Sequence, residues 1–394
     1  MVENDNYKTS LMARQPFLIF TMGLCVIGCL LMATPINVRA EAGKPVWAPA
    51  GSLPENYDWI QLTSGEWLKG DLKVLYADSL EFDSDELDLL KFDWEDVHQV
   101  ITHEPQSIRI ENPEAINYRV WNVDGLVDTV KGILHIEGDR VVVHTDEGTK
   151  EFDRSYLVSI APGTERELDY WSAQITLSLD VSQGNSEQLN FSSYAEAKRR
   201  TALSRFFIDY RGIYATTYGT VTGNSHRASS YYDIFSTRQF FWRPVMVDYF
   251  RDTFANIAHR ASIGAGIGYT LLDTAKTEWI VSPGLAYQGT RYDSVEPGED
   301  DFVSTPAFMF STQFDTDITK TIDFIVKYNF SVVNKESGTY SHNASTALEF
   351  ELTSRLDFDL SLVWDRIQDP QPDSEGIVPE QDDFYFFCGI SFEL

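Results

Sequence analysis

Histidine, serine and carboxylate side chains carry most of the acid–base and nucleophilic chemistry a chain can perform unaided. In this sequence of 394 residues the suggestive cluster is Ser341-His342-Asn343-Ala344-Ser345, which sets a histidine among hydroxyls. His342 and Ser345 are separated by an odd step, which sends them to opposite faces of a strand. The stretch therefore reads as a polar junction between loop and strand. His226 and His259 fall in segments read as loops, and the acids near them belong to a generally acidic loop set. His98, His103, His135 and His144 are scattered and converge on no cysteine or carboxylate set of the kind zinc requires. The acidic run Asp293-Ser294-Val295-Glu296-Pro297-Gly298-Glu299-Asp300-Asp301 offers oxygen ligands, but its spacing matches no EF-hand. A solvated loop is the expectation there. No catalytic residue, cofactor or metal is expected, and the chain is not read as an enzyme.

Other charges recur at a period of two. Glu196, Lys198 and Arg200, then Arg205, Asp209 and Arg211, lie on one face of two consecutive strand-like runs. Glu349 and Glu351, then Asp357, Asp359 and Asp365, do the same on two later runs, with Asp323 and Lys327 on the run before them. These thirteen residues are the candidate pore lining. If the runs close into a barrel, a basic-leaning wall faces the lumen about a third of the circumference from an acidic one. Charges in such a lumen must be hydrated or paired. Two readings follow, a water-filled pore with a transverse field or a salt-bridged interior that conducts little.

The elements that must position these charges are strands. From Trp171 onward, runs alternate apolar and polar. Phe324, Val326, Tyr328, Phe330 and Val332 oppose Asp323, Lys327, Asn329 and Ser331, with Ile325 the exception. Ala261, Ile263, Ala265, Ile267, Tyr269 and Leu271 oppose Ser262, Gly264, Gly266, Gly268 and Thr270. The apolar faces persist long enough to cross a bilayer, which takes about nine to eleven residues per strand. Only closure into a barrel satisfies every backbone group of such strands in lipid. Tyr and Phe near run ends suit an aromatic girdle. Short connections near 201–204, 241–244, 272–276, 316–320 and 353–355 alternate with longer ones near 219–229, 253–260, 291–302, 333–342 and 366–383, with 183–187 a short exception. Counting runs gives about twelve strands, with both barrel ends on the short-turn, periplasmic side. The last run places Phe384, Phe386, Cys388, Ile390, Phe392 and Leu394 on one face, an ending suited to recognition by barrel assembly machinery.

The N-terminal part reads differently. Lys8 and Arg14 precede an apolar stretch from Phe17 to about Ala33, and Val38-Arg39-Ala40 suits a cleavage site, so residues 1–40 are expected to be an export signal. An N-terminal anchor, or a lipoprotein at Cys29, is the alternative. The signal carries three basic and two acidic residues, so its loss takes the formal charge of −29 to near −30 and leaves Cys388 as the sole cysteine. That charge repels phosphates and excludes nucleic acid as a partner. After a linker at 41–57, two segments match in pattern. Lys69-Gly70 aligns with Lys131-Gly132, Phe92-Asp93 with Phe152-Asp153, and Ile101 with Ile160. The expectation is two small SH3/Sm-like β repeats in the periplasm, at 58–103 and 121–163, joined by a linker at 104–120. The barrel follows at 171–394. The fold class expected is therefore all-β.

With Gln174–Ser186, Glu196–Arg200, Ala261–Asp273, the segment at 62–72, the Phe92-Asp93-Trp94 triplet and the final alternating strand in view, the chain resembles the salt-induced outer-membrane protein family. That family has no assigned molecular function. The resemblance spans roughly 58–394 and implies an outer-membrane β-barrel; it carries over no catalytic residue. The functional expectation is a non-enzymatic barrel, either a small-solute or ion channel or an envelope-maintenance protein. The alternative is a membrane-fixed anchor that binds a periplasmic partner through the repeats. Outer-membrane lipid and lipopolysaccharide are the expected surroundings, and the acidic loops could share divalent cations with the latter.

Overall fold

The computed structural model describes residues 56–84, 86–111, 127–163, 166–182 and 187–393. The export signal expected at 1–40, most of the linker at 41–57, and Leu394 lie outside the described residues. The described N-terminal part holds β1 (Asp58–Leu62), β2 (Trp67–Tyr76), β3 (Ser79–Ser84), β4 (Asp88–Asp93) and β5 (Val97–Ile101), then β6 (Gln106–Glu111), β7 (Val127–Glu137), β8 (Arg140–Thr145), β9 (Gly148–Asp153) and β10 (Leu157–Pro162). Strands β1, β2, β10, β6, β7 and β5 pair in that cyclic order and close a small barrel. Hairpins β3–β4 and β8–β9 extend from β2 and β7.

The two matching segments do not fold into one barrel each. The last strand of each repeat pairs with the long strand of the other, β5 with β7 and β10 with β2. Neither repeat carries enough apolar side chain for a core of its own, and exchange pools them. Ile60, Leu75, Phe82 and Val100 pack with Ile108, Leu134, Ile136 and Ile160 in a single cluster. Strand β6 occupies part of the stretch expected to be linker at 104–120, because closure needs a sixth strand between β10 and β7. The aligned glycines have a shared reason. A Cβ on Gly70 would stand 2.0 Å from the Asp83 carbonyl oxygen, and one on Gly132 would stand 2.3 Å from that of His144. Asp58 locks the seam, accepting hydrogen bonds from the Leu72 and His103 amides at 2.8 and 2.6 Å. Burial raises its pKa in spite of those two donors.

The C-terminal part is a closed antiparallel transmembrane barrel of twelve strands. They are β11 (Trp171–Ser182), β12 (Gln188–Arg200), β13 (Ser204–Thr217), β14 (Thr220–Phe235), β15 (Phe240–Asp252), β16 (Ile257–Asp273), β17 (Thr277–Tyr292), β18 (Phe302–Thr319), β19 (Ile322–Val332), β20 (Tyr340–Thr353), β21 (Leu356–Ile367) and β22 (Asp382–Glu393). Closure is made by β11 against β22, from Gln174–Glu393 to Ser178–Gly389. The outer wall is apolar, with Leu179, Ile263, Leu285 and Phe386 each more than 60% exposed. Inward positions mix serine, threonine, glycine and charge with aromatic rings such as Tyr194, Tyr231 and Phe241.

Connections at one end are short, at 201–203, 236–239, 274–276, 320–321 and 354–355. At the other end 293–301, 333–339 and 368–381 are long. Two expected loops at that end are strand instead. Residues 220–229 belong to β14, reached by a tight turn at Tyr218-Gly219, and 257–260 belong to β16. The short turn expected near 241–244 sits earlier, at 236–239. Polar composition suggested loops at the first two places. Protein hairpins that rise past the apolar belt are polar too, so composition does not separate the two.

This register makes a direct prediction. Val326 faces lipid near mid-height, whereas Asn329 faces the lumen and donates to Asn343, itself bonded to Asp365. Val326→Arg should cost about 2–4 kcal/mol of bilayer refolding stability, and Asn329→Arg, placed near Asp365, less than half of that. Equal costs in urea refolding would mean the register is wrong.

Candidate functional site

The lumen concentrates the buried charge of the barrel, and part of it is paired. Nearest the short-turn end, Asp233 on β14 is fully buried between two arginines. Arg205 on β13 reaches it at 2.7 Å, and Arg243 on β15 at 2.7 Å. Aromatic faces complete the shell: the Arg243 guanidinium lies 3.7 Å from the Tyr231 ring centre, and that of Arg205 5.2 Å from Phe241. A carboxylate shared by two guanidiniums satisfies the oxygens that burial would otherwise strand.

Further in, the two walls touch. Lys327 on β19 bonds Glu196 on β12 at 2.8 Å, and its ammonium also donates to the Tyr194 hydroxyl. Arg227 on β14 bonds Asp365 on β21 at 3.0 Å and approaches Asp248 at 3.5 Å. In Lys327–Glu196 and Arg227–Asp365 the partners sit on strands far apart around the ring, so these two bridges cross the lumen. The basic wall of β12–β15 and the acidic wall of β18–β21 therefore meet across the interior.

The acidic wall is not fully neutralised. Asp359 Oδ2 accepts from Thr176 and Ser391, while Asp359 Oδ1 and Asp357 Oδ2 are buried with no hydrogen-bond partner among the described residues. Glu349 faces Asp359 and Glu351 faces Asp357 across β20–β21. A cavity of about 120 Å³ opens beside Glu349 and Asp359, lined also by Thr176, Glu196, Asp315 and Lys327. It is polar and large enough to hold water.

The remaining expected lining residues also face inward. Lys198 and Arg200 surround Glu278 on β17, Asp209 accepts from the Ser229 amide, and Arg211 lies 5.9 Å from the Tyr194 ring. Asp323 stands opposite Asp317 at the short-turn end. Sequence reasoning missed Arg227, Asp233, Arg243, Asp248 and Glu278. The sequence reading put Arg227 in a loop near 219–229 and Arg243 in a turn near 241–244, which hid their partners.

The small barrel docks over the short-turn mouth. Its Tyr76 packs with Phe235, Phe241 and Ile280 of the large barrel, and the Arg200 guanidinium sits 3.3 Å from the Tyr76 ring centre. Arg238, in the turn at 236–239, donates to the carbonyls of Leu157 and Arg154 and pairs with Asp78. Asp93 accepts from the Ala275 amide at 2.6 Å, and the Ser159 hydroxyl donates to the Ala202 carbonyl at 2.6 Å. Burial opposes the charge on Lys91, yet Glu81 together with Asp317, Asp315 and Asp323 of the mouth raises its pKa. Lys91 makes no ion pair with those acids among the described residues, so the docked domain acts on the acidic rim through its field. The stacking of Arg154 on Trp94, at 3.5 Å, stiffens the docked face, and burial lowers the Arg154 pKa to about 10.

His342 and Ser345 do point to opposite faces, Ser345 into the lumen cavity and His342 outward. His342 lies within β20 rather than at a loop junction. No group of three or more His, Cys, Asp or Glu is arranged to hold a metal ion among the described residues.

The cross-lumen bridge predicts a mutational pattern. Glu196→Ala leaves Lys327 with half its shell and should cost about 3 kcal/mol, the low end for a buried pair because the cavity admits water. Adding Lys327→Ala should restore most of that loss. Additive losses in the double variant, read by urea refolding, would show that the two side chains do not meet.

No curated protein matches the chain. Among solved structures, a NanC porin aligns with 57% of this chain and 100% of its own at 11% identity and a TM-score of 0.37. The outer-membrane channel DcaP of Acinetobacter baumannii aligns with 86% of this chain and 92% of its own at 8% identity and 0.25. The CymD monoaromatic hydrocarbon channel covers 75% and 88% at 7% identity and 0.26. Likenesses this remote say nothing of what this chain carries. A family match is more direct, covering residues 175–391 and so nearly the whole large barrel. The chain belongs to that family, described as a protein of unknown function, DUF481.

Proposed function

We propose that this protein is a non-enzymatic outer-membrane barrel that conducts small cations only when its N-terminal barrel leaves the mouth. The observation that carries this reading is the docked cap, which packs on the turns of the short-turn end through Tyr76, Asp93 and the contacts of Arg238. The export signal expected at 1–40 and an apolar outer wall fit a barrel threaded into the outer membrane of a cell with two membranes. In that orientation the short turns, both barrel termini and the cap lie in the periplasm, and the long acidic loops face outward. The partly unsatisfied carboxylates of Asp357 and Asp359, the latter beside a cavity large enough for water, favour cations over anions.

A second reading has its own support. The bridges Lys327–Glu196 and Arg227–Asp365 cross the lumen whether or not the cap is in place, and a lumen so crossed conducts little. On this reading the barrel is a fixture, and the small barrel holds a periplasmic partner or serves envelope maintenance.

Planar-bilayer recording separates the two. The full-length wild type should be silent or nearly so, and Lys91→Glu with Arg238→Glu, which reverses both docking cations, should give discrete cation-selective openings. Asp357→Asn with Asp359→Asn in that background should shift the reversal potential toward anions. Silence in the undocked variant would favour the anchor.

A further inference from the structure

The outward face near the long-loop end carries a repeated polar arrangement that the lumen account leaves unused. The sequence His-Arg-Ala-Ser occurs at 226–229 on β14 and again at 259–262 on β16, and His-Asn-Ala-Ser occurs at 342–345 on β20. In every copy the histidine and alanine point outward and the residues between them point inward. Each alanine sits opposite a tyrosine of the preceding strand, Ala228 opposite Tyr210, Ala261 opposite Tyr249, and Ala344 opposite Tyr328. The small alanine lets the tyrosine lean along the diagonal to the histidine, a reach that long side chains can span. Its hydroxyl meets histidine Nδ1 at 2.8, 2.8 and 2.7 Å in the three copies. Opposite each histidine on the following strand is an arginine, Arg251, Arg291 and Arg366 respectively.

The first two copies merge into one patch over β13–β17. Arg251 lies opposite His226 and faces the bulge between β15 and β16 that holds His259. It makes no hydrogen bond or ion pair among the described residues. Arg291 is paired with Asp301 at 3.0 Å, so Arg251 carries the patch's unopposed charge. A tyrosine that donates its proton to Nδ1 leaves the imidazole N–H at Nε2. In His226 that nitrogen meets Asn224 at 3.0 Å, whereas in His259 it meets nothing among the described residues. The third copy is filled from within. Arg366 is held by Asp382, Gln368 and Gln381, and His342 stacks on Trp364 at 5.4 Å.

We propose that Tyr210, His226, Tyr249, Arg251, His259 and Arg291 form a binding site for the phosphate group of a membrane-lipid headgroup. The patch faces outward from a lipid-facing wall, at the height where its aromatic side chains mark the interface. An unpaired guanidinium there is costly unless an anion meets it. Phosphate is the interfacial anion that a guanidinium fork grips best, and an imidazole N–H beside it supplies a further donor. The inference stands on the outer wall alone, whichever membrane holds the barrel and whether or not it conducts.

Native mass spectrometry of the full-length protein in detergent tests it, with bisphosphorylated lipid A as probe. Its dephosphorylated form and inorganic phosphate are the comparisons. Wild type should retain the phosphorylated lipid about tenfold better than the dephosphorylated one and should not be competed by equimolar inorganic phosphate. Arg251→Ala should lose about tenfold and Arg251→Lys less, while Arg366→Ala should bind as wild type. Heat-modifiable migration on gels confirms that each variant is folded. Unchanged binding in a folded Arg251→Ala, equal retention of the dephosphorylated lipid, or full competition by inorganic phosphate would each overturn the assignment.

Discussion

Lipid offers no hydrogen bond to a backbone group, and the rest of this structure follows from that constraint. Each strand from β11 to β22 must find two partners, so the sheet has to close, and it closes through β11 and β22. Closure divides every strand into an outer face in hydrocarbon and an inner face cut off from bulk water. The outer face must be apolar. The inner face may carry charge, but only charge that is paired or wetted. Asp233 held between Arg205 and Arg243, and Lys327 crossing to Glu196, are how this chain meets that condition.

The same condition ties the small barrel to the large one. Acids at the short-turn rim, Asp315, Asp317 and Asp323, crowd together, and Lys91 of the docked domain offsets part of their repulsion. Arg238 reaches in the other direction, from the large barrel to backbone carbonyls of the small one. Docking is therefore electrostatic in both directions, around an aromatic contact at Tyr76. Contacts of this kind weaken with salt more than the buried pairs of the lumen do, because they lie nearer to solvent.

Much of this was legible in the chain. Strict alternation on β12, β13 and β19–β21 identified the inward charges, since an extended strand leaves no freedom about which residues share a face. What could not be read was pairing at a distance. Nothing local distinguishes a repeat that closes on itself from one that exchanges strands, because Gly70 and Gly132 are needed in both cases. The bridge from Lys327 to Glu196 depends on the cross-section of the barrel, which the strand number bounds but does not determine. The His-Arg-Ala-Ser repeats were visible as words, yet polar residues near 226 and 259 suggested loops. Only the register showed that Tyr210 and Tyr249 hold those histidines on the outer wall.

The central claim is that the charged walls meet across the lumen rather than standing apart in water. Solid-state NMR of the protein in bilayers, with ¹⁵N-lysine and ¹³C-glutamate labels, measures this at one contact. The account predicts a dipolar coupling between Lys327 Nζ and the Glu196 carboxyl carbon that corresponds to less than about 4 Å and vanishes in Glu196→Ala. A Lys327 ammonium with no such coupling, exchanging its protons freely with water, would contradict it.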